Sequence, residues 1–121
     1  MDHEDTLIHL QRRVIAFRDE RAWRPFHTPK NLAMALAIEA GELQELFLWK
    51  DDGEIAAALA EEHCRARLGE EMADILIFLF YLAEAVGLDL AQAVGAKLDK
   101  NRAKYPIEKC FGSAKKYNEL E

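Results

Sequence analysis

In AIEAGELQEL, residues 37–46, a helix-forming composition carries a carboxylate where an apolar side chain belongs. Steps of three, four and seven residues back from Glu39 reach Leu36, Ala35 and Leu32; steps of four and seven forward reach Leu43 and Leu46. That spacing is one face of a helix, so Glu39 is pressed toward a core. Glu42 follows one turn later. Side chains three apart on a helix are neighbours, their Cβ atoms about 5–6 Å apart.

The pattern recurs in GEEMADILIF, residues 69–78, where Glu71 and Asp74 stand three apart and Phe78 and Tyr81 continue the face of Asp74. Each pair lies on the apolar edge of its helix, and antiparallel packing would bring four carboxylates together. Four negative charges in a desolvated site raise one another's pKa or unfold the site. Two kinds of relief exist: protonation or pairing with Lys and Arg, or divalent cations. Oxygen ligands without His or Cys beside them suit Mg²⁺ or Mn²⁺ rather than zinc. Glu39 is therefore read as a metal ligand, with Glu42, Glu71 and Asp74 completing the set. The plainer alternative is a solvated acidic face, and Glu45 and Glu70 are read in that way.

Outward from these two segments the chain reads as helix almost throughout. An amphipathic helix is expected over residues 4–21, with Leu7, Leu10, Val14 and Phe17 on one side. RAWRPFHTP, residues 21–29, breaks it with two prolines and two large aromatics. Thr28 suits an N-cap and Pro29 the first helical position, opening a second helix to about Lys50 that DDG at 51–53 closes. A shorter helix is expected over 54–64 and a third long one over 66–86; Gly87 suits the left-handed position after it. Asp89 caps a fourth long helix, to Lys104, which Tyr105-Pro106 stops. Residues 107–121 are expected to be a tail of low regularity. The expectation is an all-α, single-domain antiparallel bundle of four long helices plus a short one.

In ILIFLFYLAEAVGL, residues 75–88, bulky groups occupy nearly every face, and a helix apolar all round is buried all round. Too few helices exist to cover it within one chain, so a homo-oligomer, dimer or tetramer, is expected. With 121 residues the chain can bury a core without staples, and Cys64 and Cys110 match no zinc spacing and are expected to be free thiols. The net charge of −6, from 16 basic and 22 acidic residues, gives no footprint for a nucleic acid polymer. An anionic metabolite remains open, provided cations reverse the local sign. Polar residues at 1–13 do not resemble a signal peptide, and Ile75–Ala83 is too short to span a bilayer, so no membrane and a cytoplasmic location are expected.

The blocks FRDERAWRPFHTPKNLAMALAIEAGELQELFLWK (17–50), EEMADILIFLFYLAEAVGLDLAQAV (70–94) and KLDKNRAKYP (97–106) together resemble the MazG-like all-α nucleoside triphosphate pyrophosphohydrolases, and within them the dCTP pyrophosphatase group. The resemblance implies Mg²⁺-dependent hydrolysis of a nucleoside triphosphate to the monophosphate and pyrophosphate, with Glu39, Glu42, Glu71 and Asp74 as metal ligands. A carboxylate acting as general base would be Glu42 first and Glu39 second. Trp23 and Trp49 match positions lining the base slot of such enzymes, flanked by His27 and Asn31. Lys97, Asn101 and Lys104 share one face of the fourth helix and are expected to meet phosphate and sugar, with Tyr105 a packing residue or pocket wall. Phe78 stands where animal members of the group carry a Tyr, and Val14 where they carry a His. The base preference is therefore expected to be pyrimidine but not strictly cytosine. Two other readings stay open: hydrolysis of dUTP or another pyrophosphate ester, and a non-enzymatic helical module whose acidic patch recruits a basic partner.

Overall fold

Four helices start on side-chain caps that lie just ahead of their apolar runs. The structure, a computed structural model, describes residues 6–121. Thr6 accepts from the His9 N–H at 3.3 Å and opens α1 (Leu7–Glu20); Thr28 accepts from the Asn31 N–H at 3.2 Å and opens α2 (Pro29–Glu45). Asp51 and Glu54 close a reciprocal capping box that opens α3 (Asp52–Ala60). After α4 (Glu62–Val86), Asp89 accepts from the Gln92 N–H and opens α5 (Leu90–Lys104). Such a cap stabilises a helix by about 1 kcal/mol. No strand occurs among the described residues, so the expected all-α class is what the chain adopts.

Several boundaries differ from the sequence expectation, each for a local reason. The second helix stops at Glu45, not Lys50; residues 46–49 form a turn in which Trp49 takes a left-handed φ of 65°. Asp51-Asp52-Gly53 does not close that helix but begins the next, because Asp51 accepts from the Glu54 N–H at 2.8 Å. The break before α4 falls at Glu61, whose backbone is extended, so Cys64 lies inside the long helix rather than ending the short one. The tail is more regular than expected, with a one-turn helix α6 (Ile107–Cys110) and a 3₁₀ turn at Tyr117–Glu119. Gly87 takes φ 72° and caps α4, as its position suggests. The part of the first expected helix at residues 4 and 5 lies outside the described residues.

The described chain divides into two compact units, one ending at Gly87 and one spanning Leu88–Glu121. In the first, α4 is the spine: α2 packs along it and α1 and α3 against its flanks. The residue just before α2's cap, His27, meets Tyr81 late in α4, whereas Leu46 and Phe47 just after α2 share a small void with Cys64 and Leu68 early in α4. The two helices therefore run antiparallel.

Among the described residues, full burial is confined to Leu32, Phe80, Tyr81, Ala83 and one charged group, Arg18. Large apolar side chains remain exposed on both central helices, among them Ile38 (61%) and Met72 (57%). Both cysteines are free thiols. Among the described residues, no helix is long and apolar enough to cross a membrane.

Candidate functional site

The antiparallel pair turns Glu39 and Glu42 of α2 toward Glu71 of α4. One carboxylate oxygen from each lies within 4.8 Å of the others, and no other trio of acidic, His or Cys side chains among the described residues is so close. Glu39 and Glu71 are half-buried while Glu42 is exposed. In both half-buried residues the Oε2 atom is sequestered without a hydrogen-bond partner. Burial pushes the Glu39 carboxyl up to about 7; contact with the Glu42 and Glu71 carboxyls and the charges of Glu42 and Asp74 act in the same direction.

Asp74 does not join the trio. Four carboxylates were expected to converge, whereas three meet and the fourth acts on Glu39 through its charge while lining an adjacent cleft. None of the ion pairs among the described residues involves any of these four acids. Sequestered, unpartnered oxygens in a cluster that no Lys or Arg neutralises fit a divalent cation with hard oxygen ligands.

The cleft beside the acids encloses about 680 Å³ between α1, the 21–28 segment and α4. Pockets for small ligands typically measure about 300–1,000 Å³. A chain of rings forms its wall: Phe17 meets Trp23 edge-on at 5.8 Å, Trp23 lies 6.5 Å from His27, His27 sits 4.6 Å from Tyr81, and Phe78 meets Tyr81 at 6.2 Å. Trp23 is held by a tight turn. Its N–H and that of Arg21 both donate to the Arg18 carbonyl, Ala22 between them takes φ 51°, and the Arg21 guanidinium covers the Phe17 ring at 3.5 Å.

Burial first and the Arg18 charge second lower the His27 pKa from the ordinary 6.5, which favours the neutral ring. Its Nδ1 is buried without a partner. Burial raises the Tyr81 phenol, with Arg18 and Arg21 opposing.

The remaining expected residues divide. Phe78 lines the cleft. Asn31 does not line it; its amide donates to the Phe26 carbonyl at 3.2 Å and so ties the aromatic segment to α2. Trp49 is not in the cleft; its ring is 91% exposed on a strained backbone. Lys97, Asn101 and Lys104 share one face of α5 in the second unit, where Lys104 lies 4.7 Å from the Tyr117 ring and Tyr105 meets Tyr117 edge-on at 6.3 Å.

Sequence reasoning did not single out Arg18 and named Tyr81 only as part of a helix face. For Arg18 a signal existed, because Leu10, Val14 and Arg18 follow at successive fours and put a charge on α1's apolar face.

Comparison with known proteins gives a consistent picture. The model of the MazG-like family matches residues 34–120. The dCTP pyrophosphatase 1 of Bos taurus is 47% identical over 117 residues, covering 97% of this chain and 69% of the relative; the Homo sapiens protein of the same name is 45% identical over the same span. The crystal structure of a pyrophosphatase from Archaeoglobus fulgidus superposes with a TM-score of 0.77 at 37% identity, over 88% of this chain and 97% of that one.

Proposed function

The chain belongs to the MazG-like family, and from that premise we propose that it hydrolyses a nucleoside triphosphate, with a pyrimidine such as that of dCTP preferred, to the monophosphate and pyrophosphate. The observation that carries this reading is the trio Glu39, Glu42 and Glu71 together with a ring-lined cleft of nucleoside size that Asp74, one turn from Glu71, lines.

On this reading the four acids hold Mg²⁺, with Mn²⁺ a substitute. A bound cation supplies neutralisation of the triphosphate and a lower pKa for the attacking water. The protein's own part is orientation. Glu39 and Glu71, half-buried on facing helices, fix the phosphate-binding end. Glu42, exposed, has free reach to take a proton from water and is the first choice of general base. Trp23, His27 and Phe78 form the base slot, where neutral His27 offers hydrogen bonds rather than charge. Lys97, Asn101 and Lys104 on α5 are the proposed phosphate and sugar contacts, with Tyr105 a packing residue or pocket wall. The alignment of relatives over 97% of the chain supports reading both compact units as one functional domain.

Exposed apolar groups on α2 and α4, with Trp49 fully displayed, support a homo-oligomer. Light scattering on the purified protein is expected to give at least a dimer.

The deciding experiment is a nucleotide panel with Mg²⁺ and product analysis. Pyrophosphate release, strongest with pyrimidines, is expected. Preference for dUTP or for a non-nucleotide pyrophosphate ester would redirect the reading within the family; release of single phosphates, or metal-independent capture of a basic protein without hydrolysis, would end it.

A further inference from the structure

The stretch that walls the cleft on one side is basic in an acidic chain: residues 11–30 carry six basic and two acidic side chains, against a net charge of −6 for the whole. Two of the six are occupied. Arg18 pairs with Asp19, and Arg21 pairs with Glu20 and covers the Phe17 ring. Arg13 is the one Lys or Arg that lines the cleft, together with Leu10, Val14 and Phe17 of the same helix. It is exposed and makes no hydrogen bond or ion pair among the described residues. Asp74 lines the same cleft, yet no ion pair joins the two. The guanidinium thus keeps all five of its N–H donors for a molecule that enters the cleft.

Helical rise sets the level at which Arg13 stands. Ring contacts lead from Phe17 through Trp23 and His27 to Tyr81, so the late part of α1 lies by the late part of α4. The lining residues of α1 run from Leu10 to Phe17 and those of α4 from Ala73 to Tyr81, two stretches of similar length that follow one direction. Arg13 precedes Phe17 by four residues, about 6 Å along the axis, and Asp74 precedes Tyr81 by seven, about 10 Å. Arg13 therefore stands between the rings and the acids. A nucleotide with its base among the rings and its scissile phosphorus at the acids passes this level with its sugar and α-phosphate. We propose that Arg13 binds the α-phosphate, the group that stays on the nucleoside when pyrophosphate leaves. This rests on the pyrophosphohydrolase reading of the site and deepens it by assigning a protein contact to one phosphate of the three. A guanidinium reaches two phosphate oxygens through parallel N–H bonds, a charge-assisted pairing that a sugar hydroxyl cannot match. One consequence concerns the products: the nucleoside monophosphate keeps its contact with Arg13 after hydrolysis and inhibits by competing with substrate, whereas pyrophosphate has no hold there.

The test is calorimetric titration with Mg²⁺ present, on wild type, Arg13→Met, which is similar in length and uncharged, and Arg13→Lys, which keeps the charge; circular dichroism verifies folding. The probes are dCMP, dTMP, dAMP and dGMP, their four nucleosides, and pyrophosphate. For the monophosphate that wild type binds most tightly, Arg13→Met is expected to weaken binding about tenfold, while the matching nucleoside and pyrophosphate move less than twofold; Arg13→Lys is expected to stay within about threefold of wild type. An equal loss on monophosphate and nucleoside would make Arg13 a base or sugar contact, and a loss on pyrophosphate alone would move it to the leaving group; either overturns the proposal. No loss at all, a folded Lys variant as weak as the Met variant, or a wild type that binds no monophosphate overturns it as well. If Arg13→Met fails to fold, Arg13→Gln takes its place under the same limits. Product analysis on the unsubstituted protein with the four deoxynucleoside triphosphates separates the two readings: absence of hydrolysis ends the enzymatic one, and the titrations still decide the role of Arg13.

Discussion

The acidic trio and the aromatic cleft sit side by side on α4, and each holds a charge on an apolar helical face, yet the two charges are treated in opposite ways. Glu39 is surrounded by its own sign, so burial and its neighbours drive it toward neutrality. Arg18 is buried with one exposed carboxylate, Asp19, paired against it, and its charge adds to burial in lowering the pKa of His27. The first region gathers like charges and suits cations, whereas the second pairs its charge with a carboxylate of the same helix. Of the two off-pattern charges, only the repelling one points to what must be added.

The sharpest way to break this contrast is to remove one member of the trio. Glu71→Gln keeps the shape and deletes a ligand charge. Hydrolysis is expected to fall on the order of 10²–10³-fold, the scale of losing one preorganised electrostatic contact. Calorimetric Mg²⁺ binding should weaken in parallel. Glu70→Gln, the exposed neighbour, should change activity less than twofold. Equal effects of the two substitutions would show that the trio is ordinary surface charge.

A second test uses proton linkage in the metal-free protein. The Glu39 carboxyl has a folded pKa of about 7 against 4.5 for the free group, so between those values the folded state holds a proton that the unfolded state has released. Its contribution to stability is complete below about pH 4.5 and is lost as pH rises through 7, an effect of at most about 3 kcal/mol that solvent screening reduces. With a chelator present, the melting temperature should therefore fall between pH 5.5 and 8, and Mg²⁺ added at pH 8 should restore it. Glu39→Gln should flatten the pH dependence and abolish the Mg²⁺ response. A metal-free protein that becomes more stable toward pH 8 in this window would reverse the assigned sign.

On the cleft side the corresponding probe is Trp23→Ala. Stacking on an aromatic side chain contributes about 1–3 kcal/mol per base, so KM is expected to rise about tenfold while kcat stays within threefold. A Trp49→Ala variant compared at low and high protein concentration adds a discriminating contrast. If that ring serves between subunits, its loss should lower the oligomer's stability first and activity only as the oligomer dissociates.

The two regions were also unequally legible in the sequence. Glu39 declared itself because the same acid spacing occurs twice, on two helices whose apolar faces were unmistakable. Arg18 broke the face of α1 in the same manner and went unread, because a cation near a helix C-terminus is expected to favour the dipole, and its long stem is expected to carry the charge to water. Nothing local in the sequence announces that the Arg21 and Trp23 N–H groups both return to its carbonyl. The end of α2 was misplaced because Gly53 reads as a stop; yet Asp51 and Glu54 spell a capping box, the stronger signal. The break at Glu61 has no Gly or Pro to mark it. Periodicity reports which face is buried, but not which turn will be laid across it.

The smallest expected effect tests the join between the two regions. Asn31 was a candidate substrate contact, but in the fold its Nδ2 donates to the Phe26 carbonyl and its backbone N–H donates to Thr28 Oγ1, so it anchors the ring segment to the first turn of the acid-bearing helix. An exposed hydrogen bond of this kind contributes roughly 0.5–1.5 kcal/mol. Asn31→Ala should lower the melting temperature by a few degrees and raise KM less than threefold, through looser placement of His27, with kcat unchanged. Thr28→Ala, which removes the cap beneath the same turn, should act alike, because both loosen one joint. If Asn31→Ala instead cut kcat/KM more than tenfold at an unchanged melting temperature while Thr28→Ala did not, Asn31 would belong to the phosphate end of the site. Its bond to Phe26 would then be a resting contact that substrate displaces.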